Sequence, residues 1–174
     1  STWGDSRYGQ TELQLNSAHD FQIKDWWKLS LAADARWDAL KSTNYHASRF
    51  TALSALASSF RTERFMATVA LEYEGAFDCD GLSRNAFSPS ADLRFTAFEG
   101  FDIVAFGRRA YRIPTFNELY YVGYGNPQLA PEDAWLTDLG IDFNRRINAA
   151  WTMKLKADVF YNLLKNKIMS APTE

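Results

Sequence analysis

The 174-residue sequence contains one cysteine, Cys79, which excludes an internal disulfide and any multi-cysteine metal site. Its two histidines, His19 and His46, lie too far apart for the common zinc spacings. Charge of either sign is scarce in excess. The formal net charge is −2 and the pI about 5.7, so the basic surface of a nucleic-acid binder is missing and no nucleic-acid partner is expected. No apolar run approaches the roughly 18 residues of a membrane helix. The mean hydropathy of −0.33 resembles that of a soluble protein. A membrane β-barrel is not excluded by this, because only every second residue of its strands meets lipid. The opening STWGDSRYGQ has no basic stretch followed by an apolar one. That fits a chain whose leader has been removed, or one that begins inside a longer protein. Prolines are few, and all five are read as lying in loops or at a strand start, as a hydrogen-bonded sheet requires.

What the sequence has in quantity is aromatic residues, at 16%, and a polarity period of two. Leu13, Leu15 and Phe21 alternate with Glu12, Gln14, Asn16 and Asp20 in the segment Thr11–Phe21. Trp27, Leu29, Leu31, Ala33, Ala35, Trp37 and Ala39 alternate with Lys28, Ser30, Asp34, Arg36 and Asp38. Similar alternation marks 68–77, 90–98, 134–144 and 151–163, with a Ser/Ala-rich segment of ambiguous register at 50–60 and one of blurred polarity at 101–112. A period of two marks half-buried strands. A dozen residues exceeds the usual soluble strand and matches the roughly 9–11 that a tilted strand needs to cross a bilayer.

Three patterns favour a membrane barrel. Connections alternate in length, short at 23–25, 61–64, 99–100 and 145–148, longer at 41–49, 78–89 and 113–133, as in outer-membrane barrels. Aromatics gather at strand ends, with Trp26, Trp27, Phe60, Phe65, Phe98, Phe101 and Trp151 beside the short turns. Trp37, Tyr73, Phe77, Phe87, Tyr111, Trp135 and Tyr161 sit near the other end. Amphipathic rings prefer the lipid–water interface. The alternate face is charged on nearly every strand, as the wall of a wet or plugged lumen would be. The expected fold is therefore all-β: an antiparallel up-and-down meander of about eight strands, part of a larger transmembrane β-barrel. Residues 1–174 read as one domain, with 1–9 and the final SAPTE as loops.

The least generic stretch runs from Tyr111 to Gly140, YRIPTFNELYYVGYGNPQLAPEDAWLTDLG. Its Tyr111, Arg112, Pro114 and Thr115, then Glu118 and Leu119, then Gly125, Asn126, Pro127, Leu129, Pro131 and Glu132, and finally Asp138 and Gly140 resemble the barrel signature of TonB-dependent outer-membrane receptors. The resemblance covers this stretch directly and the flanking strands in style. It implies location in the outer membrane of a Gram-negative bacterium, contact with outer-membrane lipid, and energy-coupled uptake of a scarce bulky nutrient such as a siderophore or cobalamin. It also implies a 22-stranded barrel, a plug domain that fills it, and TonB as the energising partner. Eight strands cannot make that barrel. The expectation is a partial barrel without plug, signal peptide or C-terminal barrel strands, which does not transport by itself. No cofactor is implied.

Arg112, Tyr120, Tyr121, Tyr124 and Asn126 are the candidate cargo contacts, since tyrosine offers a wide surface with a polar tip. The rest of the signature is read as structural, with Arg112 pairing with Glu132 to pin the loop inward. No histidine lies within 113–126, which speaks against haem ligation there. Asp78 and Asp80 are too few for a calcium site, and no metal site is expected. No catalytic constellation appears, so an enzyme is not expected. Two other readings stay open: a complete small eight-stranded outer-membrane barrel with a structural or adhesive role, and a soluble all-β binding module. Open strand edges would invite self-association.

Overall fold

The computed structural model describes residues 7–168. Eight strands follow one another: β1 (Tyr8–Lys24), β2 (Trp27–Ser42), β3 (His46–Arg61), β4 (Phe65–Asp78), β5 (Ser83–Phe98), β6 (Phe101–Arg112), β7 (Glu132–Arg146) and β8 (Thr152–Lys165). A short helix, α1 (Phe116–Tyr120), lies in the connection between β6 and β7. The strands form a single antiparallel sheet in sequence order. Each strand pairs with the next, and β1 and β8 are the two edges. The eight strands thus do not close on themselves among the described residues.

Register sorts the side chains onto two faces. Along one row Glu12, Asp38, Arg49 and Asp78 stand opposite one another across β1 to β4; one residue along, Leu13, Trp37, Phe50 and Phe77 do the same on the other face. The apolar face continues through Leu31, Leu56 and Leu71, and through Leu93, Ala105, Leu139 and Val159. It is the exposed face: Leu15 and Val159 are each 75% open. Most buried strand residues, Leu40, Ala47, Ala76, Ala86, Asp38, Arg49, Thr51 and Asp78 among them, lie on the polar face; the small Ala67 and Gly75 of β4 are buried on the other. This is the inverse of a soluble sheet, where apolar area is removed from water. A surface of this kind is stable only against lipid.

Aromatic rings edge the apolar face at both ends. Trp26, Trp27 and Phe60 stack at centroid spacings of 6.2 Å, and Phe98 stacks on Phe101 at 4.9 Å, beside the turns. At the opposite end Phe50 meets Phe77 at 6.4 Å and Tyr73 meets Phe87 at 5.1 Å. These are the two interfacial girdles expected of a barrel wall.

Several boundaries differ from the sequence reading. The ladders run further than the apolar alternation does. β1 begins at Tyr8 rather than Thr11, β2 and β3 extend to Ser42 and from His46, and β5 begins at Ser83. The connections expected at 41–49 and 78–89 shrink to 43–45 and 79–82, so only 113–131 is long. The cause is that backbone pairing does not require apolar side chains once the polar face has partners of its own. Pro89 lies inside β5, opposite Leu71, rather than in a loop or at a strand start. The sheet tolerates it because the ladder between β5 and β6 begins only at Ser90, so β5 has no partner on that side from Pro89 upward. Residues 1–6 of the loop expected at 1–9, and SAPTE with Pro172, lie outside the described residues.

Candidate functional site: a strap latched across the polar face

The connection 113–131 is a strap that leaves β6 and reaches back over the polar face as far as the 43–45 turn. Its start is fixed by a capping box. Thr115 Oγ1 accepts from the Glu118 N–H at 3.3 Å, and Glu118 Oε2 accepts from the Thr115 N–H at 2.7 Å. This reciprocal pair satisfies two otherwise orphaned donors and explains why a helix of only five residues forms. The helix then closes into a turn: Gly125 N–H donates to the Tyr121 carbonyl at 2.6 Å, and Asn126 N–H to the Glu118 carbonyl at 2.9 Å. A Cβ at position 125 would come within 2.6 Å of the Tyr121 nitrogen, so the turn requires glycine there. Asn126 Oδ1 accepts from the Gln128 N–H at 2.9 Å, an Asx turn that leads the chain into Pro127.

Arg112 anchors the base. Its Nε donates to Glu132 at 2.7 Å and its two terminal nitrogens donate to Glu118 at 3.0 and 3.1 Å. The Arg112–Glu132 pair is the one the sequence suggested; the bidentate grip on Glu118 is an addition. Glu132 also accepts from the Ile168 N–H at 2.7 Å, which ties in the chain leaving β8. The Arg112 guanidinium, with help from Thr115 and against a smaller burial cost, holds the Glu118 carboxyl below its usual range.

The far side of the strap is held by the wall. Asp78, whose side chain is fully enclosed, accepts from Arg49 Nε at 2.5 Å and also from Arg84. Each arginine then reaches a strap carbonyl: Arg49 that of Pro114 at 3.0 Å, and Arg84 that of Pro127 at 3.1 Å. The Arg49 guanidinium also sits 5.0 Å over the Phe116 ring. Tyr120 donates its hydroxyl to Asp80 at 2.6 Å, and Tyr45 donates to Asn117. Burial alone would raise the Asp80 carboxyl. Its hydrogen bonds from Tyr120 and the Leu82 N–H, with the nearby Arg84 charge, outweigh that and leave it below the usual range. Burial, and then the bond to Asp80, push the Tyr120 hydroxyl well above the usual tyrosine value. Leu119 and Pro114 are the strap residues most completely enclosed.

Of the five candidate cargo contacts, Arg112, Tyr120 and Asn126 make the internal bonds just described. Tyr121 and Tyr124 remain open, at 43% and 74% exposure, with rings 6.1 Å apart. Among the signature residues, Tyr111, Arg112, Glu132 and Gly140 sit in β6 and β7. Pro114, Thr115, Glu118, Leu119, Gly125, Asn126, Pro127, Leu129 and Pro131 make up the strap. His46 opens β3 and is exposed, and Cys79 is exposed in the 79–82 turn. Both carboxylate oxygens of Asp78 are taken by arginines. Tyr45, Arg49, Asp78, Asp80, Arg84 and Asn117 act in the latch without having been singled out for it. Their partners lie up to 72 positions away, and no local pattern reports such contacts.

Residues 58–174 match the family model described as TonB dependent receptor-like, beta-barrel. The chain belongs to the TonB-dependent receptor β-barrel family. No curated protein sequence matches it. Solved structures with a similar fold include the FrpB iron transporter from Neisseria meningitidis (F3-3 variant), with a TM-score of 0.71 at 15% identity over 90% of this chain and 28% of that one. The copper transporter OprC also reaches 0.71 at 15% identity, over 91% of this chain and 31% of its own. The siderophore receptor PirA from Pseudomonas aeruginosa gives 0.69 at 22% identity, over 90% and 31%. The chain thus spans less than a third of each of these structures. Within the TonB-dependent receptor fold, its eight strands are a contiguous section of barrel wall carrying one strap across the polar face.

Proposed function

We propose that this section forms part of a receptor in the outer membrane of a Gram-negative bacterium, which takes up a scarce, bulky nutrient with energy from TonB. The observation that carries the reading is the inverted polarity of the sheet together with a strap bonded to its polar face. An exposed apolar band between two aromatic girdles suits lipid. A charged face crossed by a latched strap suits a lumen that a plug domain fills. The partners are outer-membrane lipid, the plug, TonB and a small-molecule cargo such as a siderophore or cobalamin. Tyr121 and Tyr124 are the cargo-facing pair on the strap, and Arg112, Tyr120 and Asn126 hold that pair in place.

The test uses the full receptor. A strain lacking it is compared with its parent, and with a strain lacking TonB, for uptake of radioiron-loaded siderophores and of radiolabelled cobalamin. The reading expects one cargo to be lost in both deletions, and Tyr121→Ala with Tyr124→Ala to weaken its binding. Unchanged uptake of every metal chelate and of cobalamin in the receptor deletion would overturn it.

A further inference from the structure

Arginines on the polar face follow a rule with one exception away from the turns. Arg36 holds Asp38 at 2.9 Å, Arg94 holds Asp102 at 3.1 Å, Arg49 and Arg84 share Asp78, and Arg112 holds Glu118 and Glu132. Arg108, in the middle of β6, has no carboxylate and no hydrogen-bond acceptor among the described residues, and it is exposed. Arg61 and Arg146 share this face but stand at the last position of β3 and β7, beside the turns. Arg108 stands opposite Ser90 in register and lines a cavity of about 340 Å³ with Ser88, Ser90, Glu72 and Tyr111. No hydrogen bond within the described residues engages the hydroxyls of Ser88 and Ser90. The cavity lies where β5 and β6 cease to pair, above Ser90.

A guanidinium with all its donors free, lining a cavity with two unengaged hydroxyls, is a receptor for a planar oxyanion. We propose that Arg108, with Ser88 and Ser90, forms an oxyanion site on the lumen wall that takes a carboxylate or phosphate group. The inference rests on the reading that the polar face lines the lumen. The group comes either from a free small molecule or from an acidic side chain of a segment that fills the lumen. Glu72, in the same cavity, favours an oxyanion that also carries a hydroxyl or ammonium donor.

The test uses the full receptor in detergent at low salt, with succinate and inorganic phosphate as probes. Saturation-transfer difference on succinate and phosphorus line broadening report weak binding to large proteins. A free-anion source predicts binding by one probe, weakened about tenfold in Arg108→Gln and partly retained in Arg108→Lys. A side-chain source predicts no probe binding, a lower melting midpoint for Arg108→Gln, recovery in Arg108→Lys, and no such difference once the plug domain is deleted. Absence of probe binding together with an unchanged midpoint in Arg108→Gln overturns the proposal. So does probe binding that Arg108→Gln leaves intact. None of these readouts requires transport, so failure of the uptake experiment and failure of this one are separable.

Discussion

Arg112 grips Glu118 with both terminal nitrogens, at 3.0 and 3.1 Å, while Glu118 also accepts from the Thr115 N–H. One carboxylate therefore joins the end of β6 to the first turn of the strap helix. Arg112 is 42% exposed, so solvent screening trims the value of the ion pair itself. Arg112→Ala is expected to lower the local stability of the strap by about 1–2 kcal/mol, the worth of a partly screened, hydrogen-bonded charge pair. Amide exchange at Leu119, Tyr121 and Asn126 should rise by about tenfold, in line with that loss, while β2 and β3 stay protected. Unchanged exchange in the strap would remove Arg112 from the latch.

Asp78 presents the opposite case, a carboxylate fully enclosed between two arginines. Asp78→Asn leaves both guanidiniums without their countercharge in a dry place, at a cost of about 3–5 kcal/mol. The folded fraction in detergent, followed by heat-modifiable gel mobility, should drop markedly. The strap carbonyls of Pro114 and Pro127 should loosen with it. A neutral outcome would mean that the two arginines find other acceptors.

The strap has an acid limit. Glu118 sits below its ordinary value of 4.5 because the folded state favours its charged form. Its contribution to stability is complete above the unfolded value and is lost as pH falls through the lower, folded one. Strap protection, taken relative to the intrinsic exchange rate at each pH, should therefore be flat from neutral pH to about pH 5 and fall below it. In Glu118→Gln the acid-induced step attributable to this group should vanish.

Gly125 carries a steric demand rather than a charge. A methyl group there would meet the Tyr121 nitrogen at 2.6 Å and the Leu119 carbonyl oxygen at 2.7 Å, both backbone atoms that cannot step aside. Gly125→Ala should cost about 1–3 kcal/mol of local stability and open the turn that presents Tyr121 and Tyr124. Proteolytic nicking within 120–128 would report it.

How much of this was legible in the sequence depends on the range of the interaction. Period two is local, so Leu29, Leu31 and Trp37 announced their strand and their face without help. The 50–60 segment did not, because its Ser and Ala residues suit either face. Its register is set from outside, by Leu56 standing between Leu31 and Leu71. Polar ends such as Ser83–Arg84–Asn85 looked like loop, yet they pair because Arg84 has Asp78 to meet. Pro89 reads as a loop or strand-start residue, yet lies inside β5, because a missing ladder on one side leaves no trace in the sequence. The strap was visible as a motif, and its tie to Glu132 could be guessed from neighbouring strand ends. Its ties to Tyr45, Arg49 and Asp80 come from elements far away in the chain.

The central claim is that the exposed apolar face meets lipid and the charged face meets the lumen. Spin labels placed one at a time from Ala67 to Tyr73 in β4, in a Cys79→Ser background and in bilayers, test it residue by residue. Collision with dissolved oxygen reports lipid, and collision with a charged nickel chelate reports water. The account predicts strong oxygen collision at Ala67, Val69, Leu71 and Tyr73 and weak oxygen collision at Thr68, Ala70 and Glu72. The opposite alternation, or none, would contradict it.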